Sequence, residues 1–163
     1  MDRRAVQKLY EMNGNSLYRL CCFYMKNEQD AFDAMQNTYL KLLEHETPFE
    51  SDAHARNWLL RVAANECKNM LRHWWYQTVS VDDCVLTSPN NTESYVEKQA
   101  LLQEIMKLPK MSRVTLYLYY YEGYSTIEIA EILSMKESSV RSNLLRGRRK
   151  LQLELTEECH ERT

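Results

Sequence analysis

An all-α chain, folded as two small helical domains with a flexible linker between them, is expected from three features of these 163 residues. Gly and Pro number only three each while 44% of residues are hydrophobic, a helix-rich globular composition and not a disordered one. Apolar residues recur at three- and four-residue steps through both halves. Between them, "YQTVSVDDCVLTSPNNTE" has no period and reads as a connector. The resulting division is a first domain at 1–76, a linker at 77–94 and a second domain at 95–163. Each domain is close to the lower size limit for a self-sufficient core, so its helices must pack efficiently.

The first helix is drawn by Val6, Leu9, Tyr10, Leu17, Leu20, Cys21 and Tyr24, with a break expected only around Gly14. After the polar "KNEQ", Ala31, Ala34, Met35, Thr38 and Leu42 form a second stripe that stops before Pro48. Ser51 or Asp52 can cap a third helix at about residues 55–75, whose inner face is Leu59, Val62, Ala63, Cys67, Met70 and Trp74. Arg61, Asn65, Lys68 and Arg72 follow at steps of four, three and four, so they align on the face opposite that core. A charged solvated face would look like this. So would a helix lying along a phosphate backbone, because the row holds three cations, an amide and no acid.

Helical periodicity returns near Tyr95 with Val96, Ala100, Leu101, Ile105 and Leu108; Pro109 interrupts it, and a further helix spans residues 112–121. Ser125 with Glu128 is a capping box, which starts a helix at Thr126 that buries Ile127, Ala130 and Leu133. "SMKES" is a polar break containing a second cap, Ser138 or Ser139. The helix beyond it buries Val140, Leu144, Gly147 and Leu151, and Gly147 on that stripe implies a close approach of a neighbouring helix. The last dozen residues, "QLELTEECHERT", read as a frayed solvated end.

Charge is distributed very unevenly. The chain carries −2 overall, yet residues 136–150 hold six basic residues against the single acid Glu137, a local charge of about +5. Two short helices joined by a tight polar turn, the second strongly basic, describe a helix-turn-helix. Its second helix presents Ser138, Arg141, Ser142, Leu145, Arg146 and Arg149 away from the core. An α-helix fits the major groove, where arginine donates two bonds to guanine and an aliphatic group touches thymine methyl.

Other functions find little support in the residues. There are no paired catalytic carboxylates, no nucleophile arrangement and no phosphate-binding glycine loop, so an enzyme is not expected. His45, His54, His73 and His160 have no evident partners, and the five cysteines lack zinc-ligand spacings, so neither a metal nor a cofactor is expected. Cys21, Cys67 and Cys84 fall in or beside apolar patterns and read as small buried side chains. The start has no apolar run after its arginines, and the longest apolar stretch, "LYLYYY", is too short to cross a bilayer; a cytoplasmic protein with no membrane insertion follows.

The whole chain resembles a bacterial RNA polymerase sigma factor of the extracytoplasmic-function (ECF) class, which keeps only the second and fourth sigma regions. "DAFDAMQNTYLKLLEH" followed by "ARNWLLRVAANECKNMLRHWW" is similar to the second region, and "LPKMSRVTLYLYYYEGYSTIEIAEILSMKESSVRSNLLRGRRKL" to the fourth, nearly end to end. The resemblance implies that the second domain reads the minus-thirty-five promoter element through Arg141, Ser142, Leu145 and Arg146, with Ser139 beside them, while Arg148, Arg149 and Lys150 hold phosphates. The first domain would take the minus-ten element on Arg61, Asn65, Lys68, Asn69 and Arg72 as the DNA opens. A pocket for an extruded base would lie in "ETPFESDAHAR".

Implied partners are promoter DNA, core RNA polymerase and a cognate anti-sigma factor. The helix at residues 30–43 would dock on the clamp helices of the polymerase largest subunit through Asp30, Asp33, Gln36, Asn37 and Leu40, and the second domain on the flap of the second-largest subunit. Phe32 and Asn37 stand where the family commonly has acids, Asn143 where a basic residue is common, and Gly147 where alanine is. Trp74 and Trp75 follow the basic face, closing the core or stacking on an unpaired base. The rival reading is a stand-alone helix-turn-helix regulator on an operator, which leaves the row from Arg61 to Arg72 unused.

Overall fold

A computed structural model describes residues 1–74 and 93–161, with side chains for 1–73 and 100–152. Cys84, Trp74 as a side chain, Trp75 and all but the last two residues of the expected linker lie outside the described residues. The chain divides into two units. Every regular element among the described residues is helical, as the composition and periodicity require.

In the first unit α1 (Arg3–Met25), α2 (Glu28–Glu44) and α3 (Asp52–Trp74) pack on one another in all three pairings. Their shared core holds Leu17, Leu20 and Phe23 of α1, Ala31, Ala34 and Leu42 of α2, and Leu59, Leu60, Ala63 and Ala64 of α3. Cys21 and Cys67 are buried free thiols, and a hydrogen bond between them, with burial, pushes the Cys21 thiol well up from its ordinary range. α1 runs straight through Gly14, against the expected break. One mid-helix glycine costs about 1 kcal/mol, less than the apolar stripe on either side of it contributes by burial. α1 stops at Lys26, which turns left-handed (φ 57°) and returns its N–H to the Cys22 carbonyl. Asn27 then caps α2 by accepting from the Asp30 amide at 3.1 Å.

The second unit holds α4 (Glu93–Met106), α5 (Lys110–Leu116), α6 (Thr126–Leu133) as far as Ala130, and α7 (Glu137–Glu161), with α5 prolonged by a π-turn at Tyr117–Tyr121; Glu131–Ser134 are grouped with the first unit. α4 starts two residues before the expected boundary and buries Leu102 and Ile105; Leu101, expected inside, is exposed. α5 is the central helix: Val114, Leu116, Tyr117 and Leu118 are fully buried. Arg113 is buried too and donates to the Leu108 carbonyl at 3.2 Å, with burial lowering its guanidinium pKa to about 10. It ties the head of α5 to the turn that leaves α4.

The capping box forms as the sequence implies: the Glu128 amide donates to Ser125 Oγ at 3.2 Å, and the Ser125 amide to Glu128 Oε1 at 3.4 Å. Ser125→Ala is expected to lower the stability of this unit by about 1 kcal/mol, measured as a fall in the denaturant midpoint at unchanged slope. The buried face of α6 is Ile129, Ile132 and Leu133, while Ile127, expected inside, is 60% exposed. α6 ends with Ser134 left-handed (φ 53°) and the Met135 amide donating to the Ala130 carbonyl at 3.0 Å. That turn brings α7 in at Glu137, so Ser138 and Ser139 lie inside its first turn and neither is the cap. The stripe Val140, Leu144, Gly147 and Leu151 is buried as expected. α7 continues to Glu161, through the segment expected to fray.

Candidate nucleic-acid interface

Two cationic faces stand on these frames, one in each unit. On α3, Arg61, Asn69 and Arg72 are exposed and Asn65 and Lys68 half-buried, while Leu59, Leu60, Ala63, Ala64 and Cys67 fill the core side. The start of the helix is fixed by Ser51, whose Oγ accepts from the His54 amide at 3.0 Å; His54 Nδ1 in turn accepts from the Glu50 amide at 3.2 Å. The imidazole thus reaches back one residue beyond the cap, where the glutamate of a capping box would accept from the cap residue itself.

The loop ahead of α3 carries a ring cluster that sequence reasoning placed only as an unspecified pocket. His45 stacks on Phe49 with centroids 4.6 Å apart and planes 10° from parallel, and both rings meet Trp58, at 4.7 and 5.5 Å. His45 and Trp58 both lie outside the segment expected to hold the pocket. Trp58 precedes Arg61 by three, so it heads the row that continues through Asn65, Lys68 and Arg72. That spacing was the available signal. The face is therefore aromatic at one end and cationic along the rest, a combination suited to unpaired nucleotides beside a charged backbone.

On α7, Ser138, Arg141, Ser142, Leu145, Arg146, Arg148, Arg149 and Lys150 are exposed, and Ser139 is half-buried. Leu145 is 47% exposed, an apolar side chain on an otherwise polar surface. Glu137 is the one acid within residues 136–150, and it is held: Thr126 Oγ1 donates to it at 3.0 Å from the head of α6, and Arg141 stands 4.0 Å away. Arg148 also has a fixed place, its Nε donating to Tyr120 Oη at 2.5 Å with the guanidinium over the Tyr119 and Tyr120 rings. The two tyrosines hold this side chain beside Arg149 and Lys150. Asn143 belongs to the inner side of the helix.

A third surface lies on α2. Asp33, Gln36 and Leu40 are exposed and Asp30 and Asn37 half-buried; burial first and the neighbouring Asp33 charge second raise the Asp30 carboxyl pKa. Phe32, 51% exposed, packs its ring 4.8 Å from Tyr18. Beside it, Tyr10, Phe32, Met35 and Tyr39 line a groove of about 500 Å³ between α1 and α2. This face combines apolar contact with two carboxylates, and it could receive a helix carrying basic groups.

Comparison with known proteins finds a match in each half of the chain. The family model "Sigma-70 region 2" matches residues 9–76, and "Sigma-70, region 4" matches residues 98–151. The ECF RNA polymerase sigma factor SigM of Mycobacterium tuberculosis is 27% identical over 150 residues, covering 92% of this chain and 76% of the relative. The SigM of Bacillus subtilis is 24% identical over 152 residues, covering 90% and 93%. Among solved structures, the sigma factor RpoE of Bartonella quintana, in complex with the anti-sigma factor NepR, superimposes with a TM-score of 0.73 at 17% identity, covering 92% of this chain and 96% of that one. CnrH, in complex with the cytosolic domain of CnrY, does so with a TM-score of 0.61 at 22% identity, covering 95% and 90%.

Proposed function

The chain belongs to the ECF sigma factors of bacterial RNA polymerase, and on that premise we propose how its residues divide the work of promoter recognition. Residues 1–76 act as the region 2 domain, 77–94 as the linker and 95–163 as the region 4 domain. Arg141, Ser142, Leu145 and Arg146, flanked by Ser139, read base edges of the minus-thirty-five element in the major groove. Arg148, Arg149 and Lys150 hold phosphates on either side. Arg61, Asn65, Lys68, Asn69 and Arg72 take the minus-ten element as it opens, and an extruded base stacks in the His45, Phe49 and Trp58 cluster, which offsets lost stacking.

The factor forms no covalent bond with DNA and works by binding alone. Core polymerase docks its clamp helices on Asp30, Asp33, Gln36, Asn37 and Leu40, and its flap on the second domain. A cognate anti-sigma factor is part of this reading, since the sigma factor of Bartonella quintana named above was solved with one. The site of action is the cytoplasm; no described helix is long and apolar enough to cross a membrane.

The observation that carries this reading is a cationic helix face in each half of a chain whose total charge is −2. A stand-alone operator binder accounts for the second face only, and the region 2 match over residues 9–76 disfavours it. Because non-specific affinity scales with the phosphates neutralised, the isolated protein binds DNA feebly. Specific binding appears once polymerase holds both domains at a set separation and raises their effective concentration on one promoter. In gel shifts at physiological salt, holoenzyme is expected to give a specific band and isolated protein none; a tight specific band from the isolated chain refutes the proposal. Within holoenzyme, Arg146→Ala is expected to cost about 1–3 kcal/mol at one base position, and Lys150→Ala to weaken all promoters alike. Binding titrations on single-base promoter variants distinguish the two patterns.

A further inference from the structure

We infer that Asn143 is a positioning residue for base reading: it holds the Arg146 guanidinium so that only its outer edge faces DNA. The inference rests on the proposed reading of a base by Arg146. Asn143 is 8% exposed and sits on the inner side of α7, among Val140, Leu144 and Gly147.

Both ends of its carboxamide are engaged. Nδ2 donates to the Ser139 carbonyl at 2.9 Å, and Oδ1 accepts from Arg146 Nη2 at 3.2 Å. The partners fix which way the amide points, because the flipped form would set its NH2 against a guanidinium and its oxygen against a carbonyl. Arg146 Nε points to the Ser142 carbonyl at 3.4 Å. The side edge of the guanidinium, Nε with Nη2, is therefore turned back onto its own helix. What remains is the opposite edge, one N–H from each of Nη1 and Nη2, in the fork that matches guanine O6 and N7. A freely rotating arginine must be ordered when it binds, at a cost in side-chain entropy, whereas this one is ordered beforehand.

The test measures holoenzyme binding to a promoter set varied one base at a time across the minus-thirty-five element, for four variants. Arg146→Ala should lose discrimination at one position. Asn143→Ala should reduce discrimination at that same position by about 3- to 10-fold, the lower range for residues in one hydrogen-bond network. The double variant should be no worse than Arg146→Ala alone. Asn143→Asp keeps an acceptor for Arg146 but sets its second oxygen against the Ser139 carbonyl; it should retain more of the base preference than Asn143→Ala, while its added negative charge weakens all promoters. If Asn143→Ala instead lowers binding to every promoter equally, the amide is structural and the inference fails. If Arg146→Ala leaves the base preference unchanged, the base-reading role falls first, and the inference with it.

Discussion

Gly147→Val is expected to lower the stability of the second unit by about 3 kcal/mol or more, a large effect for a single exchange. The reason is a distance. A Cβ built on Gly147 would stand 2.6 Å from Leu116 Cδ1, 3.2 Å from Leu116 Cγ and 3.4 Å from Ser112 Cβ. Leu116 is completely buried in α5 and Ser112 nearly so, so any shift of the leucine methyl must be taken up inside the packed core. Overpacking of a tight core costs about 1–3 kcal/mol, and a branched valine at this separation belongs at the upper end or beyond. The gain in helix propensity on leaving glycine, less than about 1 kcal/mol, works the other way and cannot offset it. Gly147→Ala should fall between the two, at about 1 kcal/mol net. All three tryptophans, Trp58, Trp74 and Trp75, precede residue 77. Their fluorescence should therefore report an intact first unit while circular dichroism loses the helicity of the second. An unchanged unfolding profile for Gly147→Val would mean that α5 and α7 tolerate a wider separation than the structure gives them.

This glycine was readable in the sequence because its stripe partners are three and four residues away on the same helix. The same holds for the capping box at Ser125 and Glu128, and for the row from Arg61 to Arg72. Local spacing decides these features, and local spacing is what a sequence displays. Ile127 was misplaced because α6 is eight residues long with Ile127, Ile129, Ile132 and Leu133 on it, enough apolar positions to fit two stripes. Only tertiary packing selects between them, and the helix period alone does not. The choice between Leu101 and Leu102 on α4 has the same origin. The entry to α7 was set by the left-handed Ser134, a conformation that residue type does not announce, since glycine or asparagine is the usual signal.

The candidate sites divide along the same line. Exposure of Arg141, Ser142, Leu145 and Arg146 follows from the helix period, once Val140 and Leu144 are known to face inward. The Phe49 ring was within the segment expected to hold a pocket, but its meeting with His45 and Trp58 joins the end of α2, a loop and the second turn of α3. No periodicity encodes that. Asn143 is a different case: its position beside the exposed row of α7 does not disclose that its side chain is inside, bonded to the neighbour that stays out.

The second large effect is expected from Arg61→Ala combined with Arg72→Ala: transcription initiation should fall about 30-fold at 0.15 M salt with binding to core polymerase unchanged. At that ionic strength one phosphate contact contributes about 0.7 log units of affinity, roughly fivefold, so two contribute about 30-fold. Both residues are exposed on α3, opposite the Leu59, Ala63 and Cys67 side, so the helix bundle should be unaffected. The slope of log activity against log salt should decrease by about 2, one for each contact. This slope is the decisive measurement, because a general loss of folded protein would lower activity without changing it. Abortive initiation assayed from 50 to 200 mM salt would supply it, with co-purification of the core subunits as the control on docking. On a template already mismatched across the minus-ten element, activity should recover in part if these arginines act while the duplex opens, since opening is then supplied by the template. If the double variant initiates as well as the parent at every salt concentration, the α3 face is an ordinary solvated surface. Promoter binding would then depend on α7 alone, and the two-handed grip proposed for this chain would be wrong.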